Sequence, residues 1–365
     1  MVATPRVIQG LESFRGLRYC TATLIYFRKS FLVTLGGLAL GAYLGWRTNH
    51  SWTGALSTMF IVAVLATLEV SLSFDNAVVN AAVLTKMSPL WRRRFITWGI
   101  AIAVFGMRIV FPLVIVAIIA RIGPVSALVL AATDPDNYSR VLTSANVSVS
   151  AFGGAFLAMV GLRHFSNREK SVHWISVIER PLMRLGRIEA VELGLALLLM
   201  YFVSTHLAGS EQFQFLAAAI FGLVTYIAVD GISALLKVES TLTGEVVQSG
   251  AASFLYLEVL DASFSFDGVI GAFALSNNLF IIAIGLGVGA MFVRSLTIML
   301  VERGTLTSYR YLEHGAFYAI IALAVMMFIS AVQHIPEAVT GLVGAGFIIA
   351  AFLDSIRFNR RVGGA

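Results

Sequence analysis

Ten long apolar runs, separated by short gaps that hold most of the basic residues, constrain this chain more than any other feature. They fall at roughly 31–46, 55–84, 95–120, 148–165, 188–207, 213–236, 251–276, 278–301, 314–332 and 336–354. A helix needs about 20 apolar residues to cross the hydrocarbon core of a bilayer, and in that core only helices or closed barrels satisfy the backbone. With 58% hydrophobic and 13% charged residues among 365, and a mean hydropathy of +0.86, the sequence predicts an all-α, polytopic membrane bundle of nine to ten helices.

Orientation follows from where the basic residues fall. With the amino terminus placed inside, 21 of the 26 Lys and Arg lie on the inner side. Three lie outside (Arg47, Arg121, Arg140) and two, Arg108 and Arg294, lie within helices. This bias is the one that orients membrane proteins, so the expectation is a multi-pass protein of the plasma (inner) membrane with both termini cytoplasmic. The net charge of +6 then points to membrane lipid as a partner and away from nucleic acid. Arg6, Arg15, Arg18, Arg28 and Lys29 precede the first run as in a signal peptide, but the run starts late and lacks a small-x-small site, which predicts an uncleaved helix. Cys20 is the only cysteine, which excludes an internal disulfide and a Cys-based zinc or iron–sulfur centre. No prosthetic group is expected.

The two halves echo each other. Ser71-Leu72-Ser73-Phe74-Asp75 aligns without gaps on Ser263-Phe264-Ser265-Phe266-Asp267, placing Glu69 opposite Asp261. Each motif helix precedes a helix with one buried arginine, Arg108 and then Arg294, and Gly154-Ala155-Phe156-Leu157 echoes Gly315-Ala316-Phe317-Tyr318. In the counted topology the two motif helices run in opposite directions, so the predicted plan is two inverted three-helix repeats with a site at their interface. The organisation reads as a basic amino terminus (1–30), an extra helix (31–54), the first repeat (55–165) and a basic cytoplasmic connector lying against lipid (166–187). Two linking helices (188–236), the second repeat (251–332) and a last helix (336–354) complete it. Asp134-Pro135-Asp136-Asn137 reads as a turn, and the sequon Asn146-Val147-Ser148 as chance.

A carboxylate inside an apolar run marks function by default. Here they are Glu69, Asp75, Glu258, Asp261 and Asp267, with Asp230 near a helix end, against only Arg108 and Arg294. Each mid-membrane acid costs about 2.5–3.5 kcal/mol, so a cation or protons must balance the surplus. A structural role as partner to a buried arginine accounts for two acids and leaves at least three. Carboxylate, hydroxyl and amide oxygens without Cys or His at that depth suit hard divalent cations such as Mn²⁺, Mg²⁺ or Ca²⁺. Glu69 shares a helix face with Ser73, and Asp75 with Ser71, so a straight helix does not focus both acids. Ser, Asp, Asn and Gly are poor helix formers, which predicts a break near Asp75 and another near Asp267. In the second motif Glu258, Asp261 and Ser265 already share a stripe. Ser71, Ser73, Ser263 and Ser265 are either supporting ligands or helix-packing residues.

The segments from Glu69 to Ala81 and from Glu258 to Asp267 resemble the TerC family of integral membrane proteins, in the branch catalogued as a domain of unknown function. The resemblance covers roughly 55–354. It implies a fold similar to the lysine-exporter superfamily and, for several members, manganese export, with calcium or proton exchange in related lineages. It makes Glu69, Asp75, Glu258, Asp261 and Asp267 the metal-coordinating candidates, with Asn76 beside them. Gly268 departs from the small hydroxyl residue frequent after the second Asp, which removes a side-chain ligand equivalent to Asn76.

The expectation is therefore a secondary transporter, and no enzyme, exporting a divalent cation by alternating access, with freed acids binding protons. No Walker-type phosphate loop is present. Two other readings stay open on the sequence. One is an assembly factor beside the protein-insertion machinery that supplies metal to exported proteins. The other is an intramembrane aspartyl protease, against which the Ser-Phe-Asp contexts speak. Oligomeric state is not encoded legibly.

Overall fold

The computed structural model describes residues 5–167, 170, 172–186, 188, 190–243, 249–333 and 335–362. Side chains are described for all of these except 5–22, 100, 233–243, 249, 266, 267, 307, 337, 338 and 362. The described residues form an all-α polytopic bundle without strands. In chain order the helices are α1 (Pro5–Asn49), α2 (Trp52–Leu72), α3 (Phe74–Leu84) and α4 (Pro89–Ala101), then a π-helical segment, π1 (Ile102–Val110), and α5 (Phe111–Ile119). There follow α6 (Pro124–Thr133), α7 (Pro135–Ser144), α8 (Asn146–Ser166), α9 (Ser176–Leu185), α10 (Val191–Ser204) and α11 (Gly209–Thr243). The chain ends with α12 (Ser249–Ala272), α13 (Leu279–Glu302), α14 (Thr305–Ser308), α15 (Leu312–Val332) and α16 (Glu337–Val362).

All ten predicted runs fall on helices, and eight helices among the described residues are long and apolar enough to cross a membrane. The other two are α10, apolar but only 14 residues long, and α12, whose 24 residues carry three acids. Two runs are less regular than predicted. Residues 55–84 divide into α2 and α3 at Ser73, and 95–120 pass from α4 through the nine residues of π1 into α5.

Two expectations need correction. The loop 121–147 contains α6 and α7, and Asp134 starts α7 by accepting the Asn137 N–H at 3.2 Å, so its Pro-Asp-Asn sequence is a capped first turn. In the connector, α9 is two-sided, with Glu179 turned inward to 1% exposure and Val177 and Ile178 exposed. The break predicted near Asp267 is absent and α12 runs unbroken. There Ser263 folds its hydroxyl back on Val259 O at 3.0 Å, satisfying itself within the helix, and the neighbouring helices override the weak local propensity.

The site is positioned by helices that approach closely. Along α1, Gly37, Gly41 and Gly45 form a small-residue seam against α13 and α2, where a Cβ on Gly41 would come within 2.8 Å of Val62. α2 packs on α13, α12 on π1, and α8 on both α15 and α11. One core cluster gathers α3, α8, α12 and α15 around Phe156, Met327 and Phe328, and a second gathers α2, α5, α7 and α13 around Leu65, Tyr138 and Leu286.

Candidate metal centre

The break between α2 and α3 builds the first half of the site. The Ser73 N–H closes the last turn of α2 on Glu69 O at 2.9 Å, and Ala77 N–H begins α3 on Ser73 O at 3.2 Å. Between them the Asn76 N–H bonds the Asp75 carboxylate at 2.9 Å, the local competition that makes Asp and Asn weak helix formers. The kink brings Glu69 and Asp75 to one small cavity of about 40 Å³, walled also by Ser73, Gly268 and Thr340. Both acids are buried, and among the described residues no cationic side chain lines this acid cavity. Glycines make room for them. A Cβ on Gly344 would sit 2.8 Å from Asp75 Oδ2, and one on Gly289 would overlap the Glu69 side chain.

Glu69 and Ser73 also wall a second cavity of about 30 Å³, lined by Asn76, Asn80, Asp261 and Ser265 together with Arg108 and Arg294. Across this amide cavity Asn80 Nδ2 donates to Asp261 Oδ1 at 2.7 Å, and Ser73 Oγ donates to Glu69 Oε1 at 3.0 Å. Arg108 forms a buried ion pair with Glu69 and also donates to Ala103 O, five residues back along π1. A π-helical stretch of this kind is rare and concentrates at functional sites. Arg294 is disposed differently. Its guanidinium lies 4.0 Å over the Phe95 ring, and its Nε and Nη2 have no hydrogen-bond partner among the described residues.

The predicted residues therefore separate into groups. Glu69, Ser73 and Asp75 meet in the acid cavity, while Asn76, Asp261 and Ser265 join Glu69, Arg108 and Arg294 in the amide cavity. Glu258 lines neither. Its two oxygens have no hydrogen-bond partner among the described residues, and one lies against Gly99, where a Cβ would come 3.1 Å from Glu258 and 3.2 Å from Arg294. The stripe of Glu258, Asp261 and Ser265 thus splits, with its first member turned aside. Asp230 is exposed on α11, Ser71 is exposed and bonds back to Thr67 O at 2.8 Å, and Ser263 bonds within its own helix, so these three stand apart from the cavities. The Asp267 side chain lies outside the described residues, although Gly268 beside it is in the acid-cavity wall.

Among the described residues no three His, Cys, Asp or Glu side chains converge on one point. A cation here would be held by two carboxylates supplemented by hydroxyl and carbonyl oxygens, a donor set suited to hard ions. Sequence reasoning missed Asn80 and Thr340. Asn80 had a signal, being an amide in an apolar run like the acids that were counted, whereas Thr340 carries none. No curated protein and no solved structure matches the sequence. A family model does match from residue 74 to 362, a stretch that holds every polar residue of the two cavities except Glu69 and Ser73, and the chain accordingly belongs to the family described as Protein of unknown function (DUF475).

Proposed function

We propose that this membrane protein is a transporter that exports a divalent metal cation, Mn²⁺ in the first place, by alternating access at the α2–α3 break. The observation that carries the reading is the acid cavity. Glu69 and Asp75 share one buried space; Glu69 is paired with Arg108 on its other side, and no cationic side chain among the described residues lines the space itself, which leaves Asp75 without a cationic partner there. Because a buried acid is costly at membrane depth, Asp75 calls for a positive charge in that space, and an oxygen-only donor set selects a hard cation.

Further support comes from the arrangement of helices. The motif helix of one half packs against the second helix of the other in both directions, α2 on α13 and α12 on π1. That interlocking suits two inverted repeats rocking about a fixed site. In each half a motif acid also meets the arginine of the following helix in the amide cavity, Glu69 with Arg108 and Asp261 with Arg294. The resemblance of both acidic motifs to the TerC family supports manganese as cargo and export as the direction.

Flux into proteoliposomes tests the reading. The wild-type protein is expected to move Mn²⁺, and Asp75→Asn to lower the rate to that of empty vesicles. Undiminished flux in Asp75→Asn places the cargo elsewhere and overturns the assignment.

A further inference from the structure

We infer that the amide cavity is a second ion site, specific for a small monovalent cation of the sodium class. Charge is the first ground. The charged residues lining the cavity are Glu69 and Asp261 on one side and Arg108 and Arg294 on the other, so they balance. A divalent ion would bring two uncompensated charges into a low-dielectric space already holding two guanidinium groups. A monovalent ion brings one, and a further carboxylate, Glu258, stands behind the cavity beside Arg294.

The second ground is a set of unpaired neutral oxygens. Only an amide nitrogen can donate to a carboxylate, so the bond from Asn80 to Asp261 fixes which end of the Asn80 amide is which. Its Oδ1 then has no partner among the described residues, in a side chain that is 4% exposed. Asn76 Oδ1 and Ser265 Oγ, on residues of the same cavity wall, are also buried without partners among the described residues. Leaving several such groups unsatisfied is costly, and three unsatisfied neutral oxygens on residues lining one small cavity supply the donor type that a dehydrated monovalent cation binds. A volume of about 30 Å³ admits the ion and at most a water or so beside it.

The third ground is the shared wall. Glu69 and Ser73 line both cavities, so an ion in one changes the field and the ligand geometry in the other. This couples the two ions through one carboxylate. The coupling rests on the transport reading above, whereas the ion site stands on the amide cavity alone.

Thermal unfolding of the purified full chain in detergent tests the site without any flux. At equal ionic strength NaCl is expected to raise the midpoint over choline chloride by about 2 °C or more, as binding to the folded state does. Ser265→Ala, with Asn76→Ala as a second variant, is expected to remove most of that difference. Asp75→Asn should keep the sodium shift while losing the shift produced by MnCl₂. Equal midpoints in the two salts mean the cavity holds water only and overturn the inference, as does a full sodium shift in both oxygen-deleted variants. If Asp75→Asn retains the Mn²⁺ shift, the divalent site is misassigned and the sodium site survives.

Discussion

Asn80 donates its side-chain amide to Asp261 at 2.7 Å, a bond that joins the first acidic motif to the second across 181 positions of sequence. Both residues are buried, and a hydrogen bond to a charged acceptor contributes about 1.5–3 kcal/mol. Asn80→Ala is expected to destabilise the bundle by that amount, and Asn80→Asp by more, since it sets two carboxylates against each other. Denaturant titration in detergent measures both. A midpoint unchanged in Asn80→Ala would show that the two motifs are held together by other contacts.

Arg108 and Glu69 are each more than nine-tenths buried and paired directly. Breaking a buried pair by removing one partner costs about 3–5 kcal/mol, because the other charge is left uncompensated. Arg108→Ala is therefore expected to be severely destabilising, and Glu69→Gln in the same chain to recover most of the loss. A double-mutant cycle reads this as a coupling energy. Simple additivity of the two changes would mean that Glu69 is compensated by something other than Arg108.

Much of this arrangement is legible in the sequence for a physical reason. An acid or arginine in an apolar run is expensive, so Glu69, Asp75, Asp261, Arg108 and Arg294 stand out without any structure. The break at Ser73 was also legible, because Ser-Phe-Asp-Asn offers the backbone competing hydrogen bonds that the Asn76 N–H takes up. The same reasoning failed at Asp267, where nearly the same local sequence sits in an unbroken helix. Propensity is worth little against packing, and α12 packs against π1, α8 and α11. The π-helical turn was not legible at all. Its sequence, Ile102 to Val110, is an apolar run broken only by Arg108, whose guanidinium pairs with Glu69 and also reaches back to Ala103 O, and nothing in that composition signals a π-helical backbone.

The glycines around the acids give a sharper test of the acid cavity than removing the acids themselves. A methyl group at Gly344 would press on Asp75 Oδ2 from 2.8 Å, while Gly346, on the same helix, has nothing within 4 Å of the corresponding position. Overpacking of this kind costs about 1–3 kcal/mol, equivalent to about tenfold or more if it falls on cation binding. Gly344→Ala is expected to weaken Mn²⁺ binding and flux by about that factor, and Gly346→Ala to leave both unchanged. Equal behaviour of the two variants would dissociate Asp75 from the cargo.

Away from the cavities, Glu179 clamps the connector onto the bundle. One of its oxygens accepts the N–H groups of Trp174 and Ile175 at 3.1 Å each, and the other lies 3.5 Å from Lys170 Nζ and 3.6 Å from His314 Nε2. Burial pushes the Lys170 ammonium below the ordinary lysine range, and the Glu179 carboxylate opposes that shift. Removing the carboxylate takes away the largest charge opposing the desolvation of Lys170, leaving only the weaker pull of Glu313, and frees two backbone donors. Local opening of the segment becomes cheaper by the worth of those bonds, about 1.5–3 kcal/mol. In Glu179→Ala, trypsin is therefore expected to cut after Lys170 about tenfold faster or more than in the wild type, because cleavage follows the population of the locally opened chain. Trp174 Nε1 still donates to Asp354 at 3.0 Å in α16, so the rest of the connector stays docked and global unfolding moves less than cleavage does. Cleavage at the wild-type rate would mean that the connector is held by Trp174 and its ring contacts, and that Glu179 is buried without bearing on its attachment.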